Sequence, residues 1–387
     1  MKRIWKLAMV VGSGAAAAAL PALPASAAPL HPASHQASAQ ARHWAPQHVV
    51  FAATDATDGN TIVAYVRTAA GGLKQAGSYP TGGNGATLTG SVVDHLASEG
   101  SLAYAEQAGL LYAVNAGSDT ISVFAVHGDR LALRQVIRSG GQFPVSIAVH
   151  GNLVYVLNAL GGGSVAGYVQ AGGFLVAVPS WHRDLGLNPD QTPQFTSTPG
   201  QVSFTPNGSH LIASTKNGAN TIDVFGVGQF GLSAAPTVTS LPGAVPFGFT
   251  FDARGHLVVT EAGPNAVATF SIASNGALTQ LDSIATGEAA TCWITTADGT
   301  LYASNAGSAT ESVLRDDASG TLTLLPGAAT DAGTVDATAS GDGRYLYVQA
   351  GGAGNIDAFR IGPDGSLTET GSVTVPDAVG GEGIVAS

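Results

Sequence analysis

The sequence is poor in the residues that disulfides, nucleic-acid binding and membrane spans require. Cys292 is the only cysteine among 387 residues, which excludes an internal disulfide. Charged residues make up 11% of the chain, the net charge is −11 and no basic stripe occurs, so nucleic acid is not expected as a partner. Beyond the N-terminus no apolar run is long enough for a membrane span. Helical periodicity is absent as well, so the regular structure should be β.

The first 47 residues predict export rather than folding. Residues 1–27 have a basic start, an alanine-rich apolar run and the small-residue cleavage pattern Ala25-Ser26-Ala27, which together indicate a secretory signal peptide. Residues 28–47 are rich in Ala, Pro, Ser, Gln and His without periodicity, as in a disordered leader. We therefore expect a secreted monomer without a membrane or nucleic-acid partner, folded over residues 48–387.

One hairpin pattern is repeated seven times between residue 49 and the C-terminus. In Leu110–Val126 a short apolar run, a polar Asn-Ala-Gly-Ser-Asp turn and a second run of β-branched and aromatic residues follow one another. The other copies start at Val49, Leu153, His210, His256, Thr300 and Tyr345. From Tyr112 to Tyr347, equivalent positions recur every 43 to 57 residues, and each copy has a further strand-like segment on either side. Four-stranded antiparallel units of this period predict an all-β, seven-bladed β-propeller.

The order of the strands predicts how the ring closes. Numbered outward from the centre, the first copy begins with a second strand at Val49, and the chain ends with a first strand at Gly383–Ser387. Seven strands of each type are present only if the C-terminal strand becomes the innermost strand of the N-terminal blade, beside Phe51. Such a join removes the free edges of the ring.

Two connections are much longer than the others, at Pro80–Gly100 and Pro179–Gly200. Both link a fourth strand to the next first strand, so they should lie on the face that carries the turns between second and third strands. Long irregular loops in a compact array are usually functional or disordered. We therefore expect the functional site on this face, called the loop face below.

Four runs resemble the lactonase-type seven-bladed propellers, the relatives of 6-phosphogluconolactonase and carboxy-muconate cyclase, and especially their exported actinobacterial members. The runs are YAVNAGSDTISVF (112–124), PGQVSFTPNG (199–208), CWITTADGTLYASNAG (292–307) and YLYVQAGGAGNIDAF (345–359). The resemblance covers Val49–Ser387 and implies an active centre in the central funnel that hydrolyses or forms a lactone. In the enzymes of this family the centre is built from His, Arg and Glu, with Pro-His motifs before innermost strands. Those motifs are missing here, where the matching positions are residues 142–144, 198–201 and 245–247, so no catalytic residue transfers by motif.

Ends of second strands and starts of first strands should converge at the mouth of the funnel. Hydrolysis of a lactone needs a base that activates water and a donor for the developing oxyanion. Glu261 is the predicted base, with Glu99 and Glu382 behind it, and Lys216 is the predicted cationic donor. The alternative for each residue is that it caps a strand end by bonding loop backbone.

The candidate substrate-binding residues at the mouth are Asn115, Asn158, Gln201, Trp293 and Asn305. His182 and Arg183, beside Trp181 and Asp184 in the second long connection, predict either a lid over the mouth or a solvated loop that its tryptophan holds down. Cys292 is either a nucleophile or a small buried hydrophobe. No metal and no cofactor is predicted, since neither a calcium-loop spacing nor a quinone-docking repeat occurs.

These features favour a secreted propeller that hydrolyses a small uncharged lactone or cyclic ester. Arg183 and Lys216 are the only cations near the predicted mouth, which argues against a sugar-phosphate lactone. The alternative is a non-catalytic propeller that binds a small ligand or a protein on its loop face.

Overall fold

The computed structural model describes residues 48–387, so the predicted signal peptide and leader lie outside the described residues. Seven antiparallel sheets follow one another along the chain, and their innermost strands contact each other around a ring. The prediction of a seven-bladed β-propeller is confirmed. Among the described residues, no helix combines the length and the apolar character of a membrane span.

Each blade has four strands, numbered here from the innermost to the outermost. Blade 1 comprises Ile384–Ala386, Val49–Ala53, Thr61–Arg67 and Leu73–Pro80. Blade 2 comprises Leu102–Ala105, Leu110–Asn115, Thr120–His127 and Arg130–Arg138, and blade 3 Pro144–His150, Leu153–Asn158, Ser164–Ala171 and Phe174–Ala177. Blade 4 comprises Val202–Phe204, His210–Ser214, Thr221–Gly228 and a fourth strand in two pieces, Gly231–Leu232 and Thr237–Ser240. Blade 5 comprises Pro246–Phe251, Leu257–Glu261, Ala266–Ile272 and Leu278–Ala285. Blade 6 comprises Thr291–Ala297, Thr300–Asn305, Thr310–Asp316 and Leu322–Ala329, and blade 7 Thr334–Ala339, Tyr345–Ala350, Asn355–Ile361 and Leu367–Thr374.

Helical structure is limited to single turns between strands. The 3₁₀ turns are Glu106–Ala108, Ala116–Ser118, Pro179–Trp181 and Lys216–Gly218, and the one α-helical turn of the described chain is Gln194–Ser197. A two-residue strand at Arg183–Asp184 also pairs with the third strand of blade 3.

The C-terminal strand closes the ring as predicted. It pairs antiparallel with the second strand of blade 1, with Ile384 opposite Ala52 and Val385 opposite Phe51. The backbone amide of Ser387 donates to the carbonyl of Val49 at 2.9 Å, which fixes the last residue of the chain. The second strand of blade 1 therefore has a partner on its inner side, and the two ends of the described chain are joined in one sheet.

Large aromatic side chains on the second strands fill the space between blades. Tyr112, Tyr155, Tyr302 and Tyr347 occupy equivalent positions and are fully buried. Burial of a side chain of this size stabilises the fold by about 2–3 kcal/mol. The outermost strands are instead mostly exposed or half-buried, as in Leu73–Pro80, where only Leu73 is buried.

Both long connections lie on the loop face, as expected. The first crosses the turns of blades 1 and 2, where Gly85 N donates to Ala56 O and Gly117 N to Asn84 O, both at 2.9 Å. The second crosses blade 3, where the backbone amide of Leu187 donates to Gly162 O at 2.9 Å. The two connections meet above the funnel, since Thr89 N donates to the side-chain oxygen of Gln194 at 2.9 Å.

Candidate functional site

The two long connections enclose a cavity of about 180 Å³ at the mouth of the funnel, called the cap cavity here. Its lining comes from both connections, from turns after second strands and from starts of first strands, so these parts converge as predicted. The aromatic walls are Phe195, Phe247 and Trp293, and Ala262 and Ala306 supply small residues between them. The cap cavity is therefore an apolar chamber for something about the size of one ring.

Trp293 lies in the wall of this cavity, where the sequence predicted a wall of the funnel or a stacking surface. Its ring is 3% exposed and lies 5.0 Å from the ring of Phe247, at an interplanar angle of 60°. The indole Nε1 donates to the carbonyl of Ser98 at 2.6 Å, which holds the ring against the first long connection. A fixed, tilted aromatic pair of this kind favours ring-shaped apolar partners.

Lys216 forms part of the cavity wall and is the only buried lysine or arginine among residues 48–387. Its Nζ donates to the carbonyls of Ala97 at 2.5 Å and Phe195 at 2.7 Å, and to the hydroxyl of Thr198 at 3.2 Å. The ammonium group therefore ties the two long connections together. Burial lowers the pKa of Lys216 to about 7, although the charge of Asp94 opposes this shift.

Asp94 and Cys292 are the other titratable groups of the cavity wall. The Asp94 carboxylate accepts from the backbone amides of Leu96 at 2.7 Å and Ser98 at 2.8 Å. Burial raises the pKa of Asp94 to about 6, against the effect of these hydrogen bonds. Burial likewise raises the pKa of the Cys292 thiol to about 12, so Cys292 is an inert buried hydrophobe at neutral pH.

Glu261, the predicted base, is not brought to Lys216. Its carboxylate accepts from the hydroxyl of Ser283, on the outer strand of the same blade, at 3.2 Å. Because side chains alternate in direction along an extended chain, the next residue, Ala262, faces the cap cavity and Glu261 faces its own blade. Of the predicted base and the predicted donor, Lys216 lines the cap cavity and Glu261 does not.

Glu99 and Glu382 lie deep in the centre of the ring and not at the cavity. Glu99, at the end of the first long connection, accepts the backbone amide of Ile294 in blade 6 at 3.2 Å, through space that the missing side chain of Gly248 leaves open. Glu382 accepts the backbone amide of Gly100 at 3.0 Å. Both carboxyl groups thus connect blades through backbone hydrogen bonds, which is the capping role considered as the alternative.

These two residues belong to a set of buried carboxyl groups away from the cap cavity, called the central carboxyls here: Asp55, Glu99, Glu311, Asp336 and Glu382. Burial raises the pKa of Asp55 and Glu311 to about 8 and of Asp336 to about 7, and it raises the pKa of Glu99 and Glu382 well above the usual range. Mutual repulsion adds to the effect, as between Glu382 and Asp336. A carboxyl group that stays protonated at neutral pH cannot serve as a base there.

The predicted amide ligands are also engaged within the fold. Asn115 donates to the hydroxyl of Ser122 at 2.8 Å, and Asn305 donates to the hydroxyl of Ser312 at 2.9 Å, each on the next strand of its own blade. Asn158 donates to backbone at Ser139 and to Ser164 Oγ, at 3.3 and 3.5 Å. Gln201 accepts the backbone amide of Phe249 at 2.5 Å and thereby joins blades 4 and 5. None of the four amides is among the residues that line the cap cavity.

The segment from Trp181 to Asp184 does not form the lid that was one of its two interpretations. Trp181 stacks on Tyr155 of blade 3, with centroids 5.9 Å apart, and Arg183 pairs with Val165 in an additional edge strand. The Arg183 guanidinium donates to four backbone carbonyls, two of which are in blade 4. His182 contacts the exposed carboxylate of Asp184 at 3.0 Å. This strand pairing keeps His182 and Arg183 at the outside of blades 3 and 4. The length of the loop alone could not reveal it.

The sequence did not single out Phe195 as a site residue. It is an aromatic residue of the second long connection, and its backbone carbonyl accepts a hydrogen bond from Lys216 Nζ. A hydrophobic residue within an otherwise polar loop was the available signal, because such a residue needs an apolar surface to pack on. Its place above the funnel depends on contacts with the first connection, which the sequence does not show.

A metal-ligand grouping among the described residues lies on the opposite face, where Asp252, His256 and Asp316 come together. It is remote from the cap cavity in the fold, since Asp252 and His256 belong to a turn between a first and a second strand. The prediction that no metal takes part in the site stays a prediction.

No protein-family model matches the sequence, and no curated protein matches it either. Solved structures do match. A Bacteroides uniformis protein proposed to be a 6-phosphogluconolactonase superposes with a TM-score of 0.72 at 19% identity, over 89% of this chain and 100% of the other. A periplasmic gluconolactonase from Pseudomonas aeruginosa gives 0.70 at 20% identity, over 88% and 98%. Virginiamycin B lyase from Staphylococcus aureus gives 0.52 at 18% identity, over 74% and 87%.

These similarities concern the fold, since all the identities are at or below 20%. Proteins named for lactone chemistry and for a lyase reaction share the architecture, so the architecture does not determine the reaction. The chain has the seven-bladed fold of the lactonase-like propellers.

Proposed function

We propose that the protein binds a small, uncharged, single-ring compound in the cap cavity. The observation that carries this proposal is the cavity itself. It has a volume of about 180 Å³, close to that of one ring, and three of its walls are the aromatic side chains of Phe195, Phe247 and Trp293. An engineered protein cavity of about 150 Å³ holds one benzene molecule, so a single ring is the expected size. The polar residues predicted for the mouth are bonded within the fold, which leaves shape and apolar contact to select the ligand.

Charge argues in the same direction. Lys216 is the one cation of the cavity wall, and two carbonyls and a hydroxyl already accept its hydrogen bonds. A phosphorylated sugar lactone would need free cationic donors for its phosphate and more space than one ring occupies. A plain γ- or δ-lactone meets both limits of size and charge.

Hydrolysis of such a lactone is a second candidate function. It is favoured by Lys216 and Asp94, which lie in the cavity wall with pKa values of about 7 and about 6 and so change protonation near neutral pH. The similarity of the fold to a gluconolactonase adds support. Against it stands the bonded state of both groups, since neither has a free position that points at a ligand.

The test is a titration of the purified protein with benzene, phenol, γ-butyrolactone and δ-valerolactone. Binding is followed by calorimetry and by the fluorescence of Trp293, and ring opening by chromatography of the product. Ala262→Phe fills the cavity, and Ala132→Phe on an exposed outer strand is the matched control. We expect Ala262→Phe to weaken binding at least about tenfold and Ala132→Phe to leave it unchanged.

Binding without ring opening supports the binding function, and ring opening that Ala262→Phe abolishes supports hydrolysis. Failure of all four compounds to bind would contradict both functions. Export is proposed from the N-terminal pattern and has its own test, because a secreted mature chain should begin close to residue 28 when its N-terminus is sequenced.

A further inference from the structure

The face opposite the loop face carries a second chemical feature, at the junction between blades 5 and 6. Asp252 and His256 lie in the turn between the first and second strands of blade 5. Asp316 is the last residue of the third strand of blade 6. One ligand atom from each of the three side chains lies within 4.8 Å of the others. The junction therefore brings together one imidazole and two carboxylates.

The turn holds the Asp252 carboxylate in one orientation. Its Oδ1 accepts the backbone amides of Arg254 at 2.8 Å and His256 at 2.7 Å, and its Oδ2 lies 2.7 Å from His256 Nδ1. The side chains of Asp252 and His256 are 2% and 20% exposed. Backbone hydrogen bonds thus fix the Asp252 carboxylate, and the carboxylate in turn orients the His256 imidazole.

Asp316 is the unusual member of this group. Its side chain is 4% exposed, and the donor that reaches it from another residue is the guanidinium of Arg254, at 3.4 Å, which is itself 46% exposed. The Asp252 carboxylate lies beside it in the same group of ligand atoms. Two carboxylates in contact at a buried position remain unfavourable unless a proton or a cation lies between them.

The junction between blades 7 and 1 shows how the same fold resolves the same position. There Asp342 lies in the turn between first and second strands, and Arg67 is the last residue of the third strand of the next blade. The guanidinium of Arg67 binds Asp342 through two hydrogen bonds, of 3.1 and 2.6 Å, and the imidazole of His48 lies 3.6 Å from the same carboxylate. Both junctions have an aspartate and a histidine, but the position of the Arg67 cation is occupied by Asp316 in blade 6.

From this difference we propose that Asp252, His256 and Asp316 bind a divalent transition-metal ion, which supplies the positive charge that Arg67 supplies at the other junction. One imidazole nitrogen with two carboxylate oxygens suits Zn²⁺ and Mn²⁺ better than Ca²⁺ or Mg²⁺, which prefer oxygen ligands alone. Three protein ligands also leave room for water on the ion.

The exposed side of this site is the imidazole. The side chain of His256 is 20% exposed, whereas the two carboxylates are almost buried. An ion would therefore enter past the imidazole and keep its water ligands on that side.

The test is calorimetry of the chelator-treated full chain with Zn²⁺, followed by Mn²⁺, Ca²⁺ and Mg²⁺. We expect one site that Asp316 controls, with Zn²⁺ binding at least about tenfold weaker in Asp316→Asn and in His256→Gln. Asp342→Asn, at the other junction, is the matched control and should keep the wild-type affinity. Zn²⁺ should also raise the melting temperature of the wild type and not that of Asp316→Asn.

A second variant protects the test from folding defects. Asp316→Arg copies the Arg67–Asp342 pair, so it should fold, melt above the metal-free wild type and show no response to Zn²⁺. Diffraction from Zn²⁺-soaked crystals at the zinc absorption edge should give an anomalous peak among the three side chains. Unchanged Zn²⁺ affinity in Asp316→Asn and Asp316→Arg, or an anomalous peak elsewhere only, would overturn the proposal.

Discussion

The carboxyl groups in the centre of the ring and those at the blade junctions of the opposite face are neutralised in different ways. In the centre, burial raises the pKa of Asp336 to about 7 and that of Glu382 well above its usual range, so protons remain bound. At the junction of blades 7 and 1, hydrogen bonds from Arg67 hold the pKa of Asp342 well below its usual range. Burial and the availability of a cation therefore together decide whether an acid in this fold keeps its proton or its charge.

The comparison also explains why the sequence-based choice of catalytic acids does not coincide with the cavity. Glu99 and Glu382 are acidic and lie close to the axis, as an active centre would require. Without a cation beside them they are neutral and serve as hydrogen-bonding links between blades. The loop face then offers the apolar cap cavity as its binding feature.

The largest expected effect is a loss of stability as pH rises from 5 to 8. Asp55, Glu311 and Asp336 keep their protons in the folded state up to about pH 7–8, whereas the unfolded chain releases them near pH 4. Their favourable contribution is complete below pH 4 and is lost as pH rises through the folded-state pKa values. The free energy of unfolding should fall by several kcal/mol over this range, since each group loses about 1.4 kcal/mol per pH unit between its unfolded-state and its folded-state pKa.

Urea unfolding at pH 5, 6, 7 and 8 measures this change. His95, whose pKa burial lowers, acts in the opposite direction, and so does Lys216 above pH 7, so the decline should be clearest between pH 5 and 7. The Arg67–Asp342 pair stays charged throughout and contributes no slope. Stability that is constant or rises across pH 5–7 would show that the central carboxyls are ionised.

The next largest effect is expected on the loop face, for Lys216→Met. Methionine fills a similar volume but leaves the carbonyls of Ala97 and Phe195 without a donor, at a cost of roughly 2–4 kcal/mol in the free energy of unfolding. Lys74→Met, on the exposed outer strand of blade 1, should change it by less than about 0.5 kcal/mol. Equal losses in the two variants would mean that Lys216 does not tie the long connections together.

A smaller effect is expected at the charged junction of blades 7 and 1. Arg67→Met removes a two-point ion pair with Asp342 and a cation–π contact with Tyr345 at 4.4 Å, which together should contribute about 1–2 kcal/mol. Arg360→Met, at an exposed position of blade 7, serves as the control in thermal unfolding. Destabilisation that does not decrease at high salt would argue against an electrostatic origin.

The smallest effect should come from Glu382→Gln in the centre. A glutamine has the shape of the protonated acid and can still accept the amide hydrogen of Gly100, so at pH 7 the free energy of unfolding should change by less than about 1 kcal/mol. The same variant should flatten the decline of stability with pH. A loss above about 2 kcal/mol at pH 7 would mean that Glu382 carries a charge that the fold needs.

The architecture could be predicted because its determinants are local and repeated. The sequence shows alternating hydrophobic segments, turns such as Asp342-Gly343 and a first strand at the C-terminus that the N-terminal blade lacks, which together predicted a closed ring. In the structure Ile384 of that strand pairs with Ala52, the neighbour of Phe51. Trp293 was placed correctly because it begins a first strand, where the convergence at the mouth follows from the topology.

The site was harder to predict because it depends on depth and on contacts between distant loops. The positions of Glu99 and Glu382 before first strands predicted that both lie near the axis of the ring. Their burial, and the space that Gly248 leaves for the Glu99 carboxylate, result from packing between blades, which the sequence does not show. For Arg183 the sequence left a lid and a solvated loop both open, because the pairing of Arg183 with Val165 is a tertiary contact that loop length does not reveal. The third strands of blades 1 and 6, TIVAYVR and TESVLRD, end in Arg67 and Asp316, and this difference is visible in the aligned repeats. That Asp316 lies beside Asp252 is visible only in the structure.

We propose that ligands bind in the cap cavity and that the central carboxyls have a structural role. The most direct test is a crystal structure of the protein soaked with δ-valerolactone, the simplest single-ring lactone of the proposed size. The account predicts density for one intact or opened ring between Phe195, Phe247 and Trp293. Density for the compound beside Glu99 and Glu382, with an empty cap cavity, would contradict it.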